Sequence, residues 1–283
     1  MKNKGKTWLV LNRASGSHDD ERAEKLVHWL ERAGHEPARI VDCSEQGLPD
    51  RATLEAAGVG LLAVHGGDGT LNAAITGVEG WDGDVLALPG GTANLLCRSL
   101  YGDAEIDDVL EQFAGGALRL CRRQVVRGRD WIALAEVLAG PGAAWADVRE
   151  DLRDGDLAEL LSGAIDAASL STAGPMVAIH DPSLGREEGY AGVRLVPGGE
   201  GMAVEGYGAA EFGDYLKQAL AILGRDFRSG PHDELGTHRR VVCRMADNVS
   251  IPLMVDGERR DGAMEERFDL AEFAANLFCR ADG

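Results

Sequence analysis

The chain has 283 residues, of which 45% are hydrophobic, and a formal net charge of −18 from 29 Lys and Arg against 47 Asp and Glu. That apolar content supports a packed core and excludes wholesale disorder. A pI near 4.8 argues against a nucleic-acid binder, because phosphate backbones reward basic stripes, and it weakens a polybasic membrane anchor.

In chain order, Thr7–Leu11 is a short apolar run that fits a buried strand, too short for a signal-peptide core. Asp19, Asp20 and Glu21 then offer a cap and an acidic first turn. Ala23, Leu26, Val27, Leu30 and Ala33 follow at helical spacing, and Gly34 ends the helix. Ala38–Cys43 reads as a second strand, Pro49–Ala57 as a short helix stopped by Gly58, and Val59–Val64 and Asp84–Leu88 as further strands. Ile106, Val109, Leu110 and Phe113 mark another helix. This alternation predicts a mostly parallel sheet covered by helices.

From about residue 118 the pattern changes. Leu118–Val126, Trp131–Leu138, Met176–Ile179, Val193–Val196 and Met202–Val204 read as strands, with a turn at Gly128–Asp130 and a hairpin loop at Pro197–Gly201. Ala146–Leu170, Phe212–Leu223 and Phe268–Phe278 read as helices, and Arg240–Met245 and Ile251–Val255 as a strand pair. The expected fold class is α/β, with an N-terminal α/β domain over 1–122 and a C-terminal β-rich domain over 123–283. The last helix, about 268–283, is expected to return to the first domain. No apolar run reaches the roughly 18 residues of a membrane span. The five cysteines (Cys43, Cys97, Cys121, Cys243 and Cys279) are odd in number and widely spaced. They predict buried thiols in a reducing cytoplasm rather than a disulfide framework or a zinc site.

Three glycine turns carry the chemistry. Val59–His65 runs into Gly66, Gly67, Asp68, Gly69 and Thr70, with a helix expected from Leu71 and Asn72. A strand, glycine turn and helix present backbone N–H groups at a helix N-terminus, where phosphate binds. The competing reading is an ordinary tight turn. Asp68 discriminates between roles: two like charges roughly 4 Å apart repel by about 4 kcal/mol at an effective dielectric of about 20. It therefore suits a cation or a hydrogen-bond network better than direct phosphate contact. A second turn, Pro89-Gly90-Gly91-Thr92-Ala93-Asn94, follows the fourth strand, and a third, Asn12-Arg13-Ala14-Ser15-Gly16, follows the first. Turns at strand C-termini converge in open α/β sheets. The chain lacks a complete P-loop, a dinucleotide fingerprint and a nucleophile elbow. Leu95, Leu96, Leu100 and Tyr101 line either an apolar acceptor pocket or a core helix face.

These turns resemble the diacylglycerol kinase catalytic-domain family, which includes soluble bacterial lipid kinases and is related to sphingosine kinases. The resemblance rests on Gly66–Asn72 and Pro89–Asn94, on Asn12–Gly16 as a variant first turn, and on Val255-Asp256-Gly257-Glu258 near the end. Arg13, Ala73 and Leu95 depart from the pattern, standing where Pro, Glu and Asp are common. The resemblance implies that the first domain binds nucleotide, that an inter-domain cleft holds ATP with Mg²⁺, and that the γ-phosphoryl group passes to a lipid hydroxyl. It implies nucleotide contacts from Asn12, Ser15, Gly16, Ser44, Gly66, Gly67, Asp68, Gly69, Thr70, Leu71, Asn72, Gly90, Gly91, Thr92 and Asn94, with Asp68 at the metal. Glu258 is the first choice of base, with Asp256 orienting it or sharing the proton, and Asp68 is the rival. Two carboxylates two apart on a strand would share a face; a solvent-facing hairpin turn at Asp256-Gly257 is the alternative. The implied partners are a lipid substrate and a transient membrane contact, from a cytoplasmic protein peripheral to the membrane. No nucleic acid is implied, and a homodimer stays open. A kinase of a soluble alcohol on the same fold, and a catalytically silent nucleotide-binding regulator, stay open as well.

Overall fold

A sheet whose central strands are apolar on both faces must be covered on both sides. Such a sheet forms the first part of the chain. The computed structural model describes residues 5–13, 20–144, 175–208, 232–246 and 249–280. The chain divides into two units, Met1–Arg123 with Glu272–Gly283, and Gln124–Ala271.

The first unit runs β1 (Lys6–Leu11), α1 (Asp20–Arg32), β2 (Pro37–Asp42), α2 (Cys43–Gln46), α3 (Arg51–Ala57), β3 (Val59–Gly66), α4 (Asp68–Thr76), β4 (Asp84–Pro89), α5 (Leu95–Tyr101), α6 (Ile106–Ala114) and β5 (Arg119–Cys121). Every residue of β3 is buried. Leu26 and Leu30 of α1 and Val109, Leu110 and Phe113 of α6 face the core. The Asp50 side chain caps α3 by accepting from Thr53 N at 2.8 Å. Gly58 closes the same helix in the left-handed region at φ 66°, where a side chain would be strained.

The second unit is antiparallel. Its strands are β6 (Gln124–Arg127), β7 (Ile132–Ala133), β8 (Val137–Ala139), β9 (Val177–Asp181), β10 (Gly192–Pro197), β11 (Met202–Tyr207), β12 (Asp233–His238), β13 (Arg240–Met245), β14 (Pro252–Val255), β15 (Glu258–Asp261) and β16 (Glu265–Glu272). One sheet has the order β12-β11-β10-β8-β14-β15 and the other β7-β6-β16-β13-β9. Their inner faces share one apolar core that includes Val126, Trp131, Val193, Leu195, Cys243, Leu253 and Phe268. The chain then returns: β17 (Asn276–Cys279) lies parallel to β4 and antiparallel to β5. The first unit's sheet is thus β2-β1-β3-β4-β17-β5.

Two expectations are corrected. Phe268–Phe278 is not a helix but parts of β16 and β17. In β16, Glu266, Phe268 and Leu270 are buried while Glu265 and Arg267 are exposed. That is the period of two of a strand, which the Ala- and Leu-rich composition concealed. Nor do Arg240–Met245 and Ile251–Val255 pair, because they belong to different sheets. Strand β13 pairs with β16 and β9, and β14 pairs with β15 and β8. Opposite charges face each other across the β13–β16 pair. Arg240 faces Asp269 at 2.8 Å and Arg244 bonds Glu265 across the same pair of strands, a favourable cross-strand arrangement. The expected helices at 146–170 and 212–223 lie outside the described residues.

Phe268 is fully buried and Met264 is 57% exposed. Phe268→Ala should destabilise the second unit by about 3–5 kcal/mol. Met264→Ala should stay within about 0.5 kcal/mol of wild type. Urea unfolding of the two variants checks both.

Candidate functional site

In a parallel sheet the C-terminal ends of all strands fall on one edge, and adjacent strand ends there bring their loops together. In β2-β1-β3-β4 those ends are level. Leu11 pairs with both Asp42 and His65, and His65–Gly66 pair with Leu88–Pro89. Asn12 and Arg13 after β1, and the segments that leave β2, β3 and β4, therefore form one row.

The turns after β3 and β4 touch through backbone. Gly90 N donates to Gly66 O at 3.0 Å. A Cβ on Gly91 would lie 2.8 Å from Gly67 Cα, and one on Gly90 would lie 2.6 Å from a ring carbon of His65. A Cβ on Gly66 would meet Thr70 Cβ at 2.8 Å. None of these three glycines has positive φ. Close approach, not a left-handed backbone, is what requires glycine here. Helix α4 starts after Gly67, which caps it without any side-chain bond. The first-turn N–H groups of such a helix have no partner within the helix, and its positive end faces the row.

The predicted contacts fall into three groups. Asn12 Nδ2 donates to Thr70 Oγ1 at 3.1 Å, joining the β1 turn to the β3 turn. Arg13 N donates to Asp42 Oδ1 at 3.4 Å, joining the β1 turn to the end of β2. Ser44 donates its hydroxyl to the same Asp42 oxygen at 2.6 Å. That bond, ahead of the other contacts, holds the Asp42 carboxyl below the usual carboxylate range. Ser44 thus braces Asp42. Gly67, Asp68, Gly69, Thr70 and Asn72 are half-buried along the start of α4, and Gly91 and Thr92 are exposed at the tip of the second turn. Burial pushes the Cys97 thiol up, and the Asp68 carboxylate adds to the effect, so Asp68 acts electrostatically toward α5.

Two residues support the row from within. Leu71 is buried and its N–H bonds Gly67 O at 3.0 Å. Asn94, at φ 50°, accepts from Gly91 N and donates to Gly91 O, both at 2.9 Å, closing the second turn. Ser15 and Gly16 lie outside the described residues. Leu95, Leu96, Leu100 and Tyr101 are buried, which settles them as core.

In the second unit, Asp256 and Glu258 do not share a strand face. Asp256 and Gly257 are the two central residues of a tight hairpin, with φ 47° and 86°, between the paired Val255 and Glu258. This is the turn that Asp-Gly favours. Asp256 is 1% exposed. Its carboxylate accepts N–H bonds from Leu134, Ala135 and Glu136 at 2.6, 2.7 and 2.9 Å. Glu258 is exposed at the start of β15. The two-residue turn sends one carboxylate inward and leaves the other in solvent.

Beside this turn lies a buried ionic group that sequence reasoning missed. Arg194 donates Nε and Nη2 to Glu136 Oε2 at 2.9 and 2.7 Å. Its Nη1 donates to Glu205 Oε2 at 2.9 Å, which also accepts from Tyr207 OH at 2.8 Å. Burial opposes ionisation of Glu205, but the Tyr207 hydroxyl and the Arg194 guanidinium outweigh it and hold the carboxyl low. Burial likewise opposes the charge on Arg194, and Glu136 and Glu205 more than restore it. The available signal was a lone Glu136 and a lone Arg194, each set among apolar residues of a strand-like run.

Two outcomes test this geometry. Gly91→Ala should destabilise the first unit by about 1–3 kcal/mol by forcing the turns apart, as read by urea unfolding. The folded Glu205 carboxyl lies below its unfolded value near 4.5. Its stabilising share is therefore full above that value and is lost as pH falls through the folded one. Wild type should lose urea resistance more steeply than Glu205→Gln as the pH drops below about 4.5.

Residues 6–122 match the family model described as the diacylglycerol kinase catalytic domain. A diacylglycerol kinase from Bacillus anthracis str. Sterne has the same architecture, with a TM-score of 0.63 and 16% identity over 100% of this chain and 99% of that chain. Two further structures from that organism align with TM-scores of 0.63 and 0.62 at 16% identity, covering 99% and 98% of each chain. At these identities the likeness is one of fold. No protein of curated function matches the chain.

Proposed function

We propose, on the premise that residues 6–122 form a diacylglycerol kinase catalytic domain, that the protein transfers the γ-phosphoryl group of ATP to a hydroxyl of diacylglycerol or a related lipid. The observation that carries this reading is the pair of glycine turns packed at the ends of β3 and β4 and tied to β1 by the Asn12–Thr70 bond. Phosphoryl transfer asks chiefly for alignment and for charge neutralisation. Backbone N–H groups of the turns and of the α4 N-terminus suit the phosphates.

Among the described residues no three His, Cys, Asp or Glu side chains converge into a metal site. A magnesium ion carried by nucleotide phosphates needs only one or two carboxylates, and Asp68 at the start of α4 fits that need. When bound, Mg²⁺ supplies neutralisation of the phosphate charge. Glu258 takes the proton of the acceptor hydroxyl as its oxygen bonds to the γ-phosphorus and ADP leaves. Asp256, with its carboxylate held by three backbone N–H groups, anchors the turn that presents Glu258 and is not a proton carrier. No helix among the described residues is long and apolar enough to cross a membrane.

A radiolabelled-ATP screen over diacylglycerol, monoacylglycerol, sphingoid bases, ceramide and soluble alcohols tests the reading. Turnover on a lipid is expected, and Asp68→Asn and Glu258→Gln should each slow it at least about 100-fold. Wild-type rates in both variants would discard the assigned roles. Turnover on soluble alcohols alone, or ATP binding with no turnover, would replace the lipid kinase with another function.

A further inference from the structure

The buried Arg194 has no place in the chemistry above, yet it lies two contacts away from the turn that presents Glu258. We infer that Arg194 is a positioning residue for Glu258, acting through Glu136 and the Asp256 turn. The inference rests on the reading of Glu258 as the base.

Glu258 follows a loop of only two residues, so the turn sets its direction. Both turn residues have positive φ, and for Asp256 that conformation is uncommon and must be held by its surroundings. The hold is the segment Leu134–Glu136. It gives three N–H groups to the Asp256 carboxylate and takes the Asp256 N–H on Glu136 O at 3.0 Å. This segment lies between β7 and β8 and belongs to neither strand. Its shape is therefore not set by a sheet ladder of its own.

Glu136 supplies a fixed point. Its side chain is buried, and two nitrogens of Arg194 close on one of its carboxylate oxygens. Arg194 is itself fixed at mid-sheet, opposite Leu138 of β8 and Glu205 of β11, and its third nitrogen reaches Glu205. A planar guanidinium can span two carboxylates in this way, whereas an ammonium is a single point charge.

Stability alone is a poor reason for such a group. Buried ion pairs repay little more than their desolvation cost, and apolar side chains of similar volume often serve as well. Replacing the guanidinium takes away the two-nitrogen fork that fixes the Glu136 carboxylate. The 134–136 backbone then relaxes, the N–H cradle opens and Glu258 moves. A misplacement of about 1 Å can cost about 100-fold in rate.

The test is a double-mutant cycle on the full chain, with kcat and KM measured for [γ-³²P]ATP and a lipid found in the screen above. Arg194→Lys should lower kcat by about 10- to 100-fold, with KM for ATP within about twofold of wild type and ATP binding intact. In the Glu258→Gln background the same exchange should change kcat by less than about twofold, because residues that act as a unit are not additive. Should Arg194→Lys fold poorly, Arg194→Met combined with Glu136→Gln, which removes the guanidinium and the carboxylate it grips together, takes its place in the cycle. Wild-type kcat in a folded variant, or an equal fractional loss in both backgrounds, overturns the positioning role while leaving Glu258 as base. Wild-type kcat in Glu258→Gln overturns the base and the positioning role together.

Discussion

Two glycine turns meet at the edge of the first sheet with no room for a methyl group between Gly91 and Gly67. The rest of the candidate site depends on that contact. It lets the ends of β3 and β4 close to backbone distance, as the Gly90–Gly66 bond records. Helix α4 starts beside it, with Gly67 as a cap that offers no side-chain bond. Around it the neighbouring loops are stitched together by Asn12 on Thr70 and by Arg13 on Asp42. A surface made of backbone donors and short side chains suits phosphate, and a carboxylate such as Asp68 is tolerable there when a cation shares the space.

The second unit holds the Asp256 carboxylate by a different device. Here the device is ionic and buried. Asp256 is spent on three amides, Glu136 on the Arg194 fork, and Glu205 on Arg194 and Tyr207. Such a group gains little net free energy against an apolar replacement. What it adds is a defined geometry, since every member has a fixed partner and the chain of contacts ends at the hairpin before Glu258. In the first unit geometry comes from the absence of side chains, and in the second from their mutual constraint.

How much of this was legible depended on the range of the signal. The alternation of β1 to β4 with helices, the cap and stop of α3, and the glycine turns are local patterns, and the residues display them directly. The core face of α5 was legible as one of two readings, and the burial of Leu95, Leu96, Leu100 and Tyr101 decides it. Residues 268–278 misled because Phe, Leu and Ala serve a helix or a strand equally, and only the alternation around Glu266, Phe268 and Leu270 separates them. The pairing of β13 with β16 brings Arg240 to Asp269, 29 residues away. The Glu136–Arg194 pair joins residues 58 apart, and the Asp256 cradle spans 120 to 122. No local pattern announces contacts of that range. The Asp-Gly turn was visible, but its inward and outward carboxylates follow from the two positive φ angles rather than from strand spacing.

The central claim is that the row of turns at the ends of β1, β3 and β4 grips a nucleoside triphosphate. Hydrogen–deuterium exchange of the full chain with and without ATP tests it most directly. The account predicts slowed amide exchange at residues 66–72 and 89–94 when ATP is added. Unchanged exchange in both segments, at an ATP concentration that protects amides elsewhere in the chain, would contradict it.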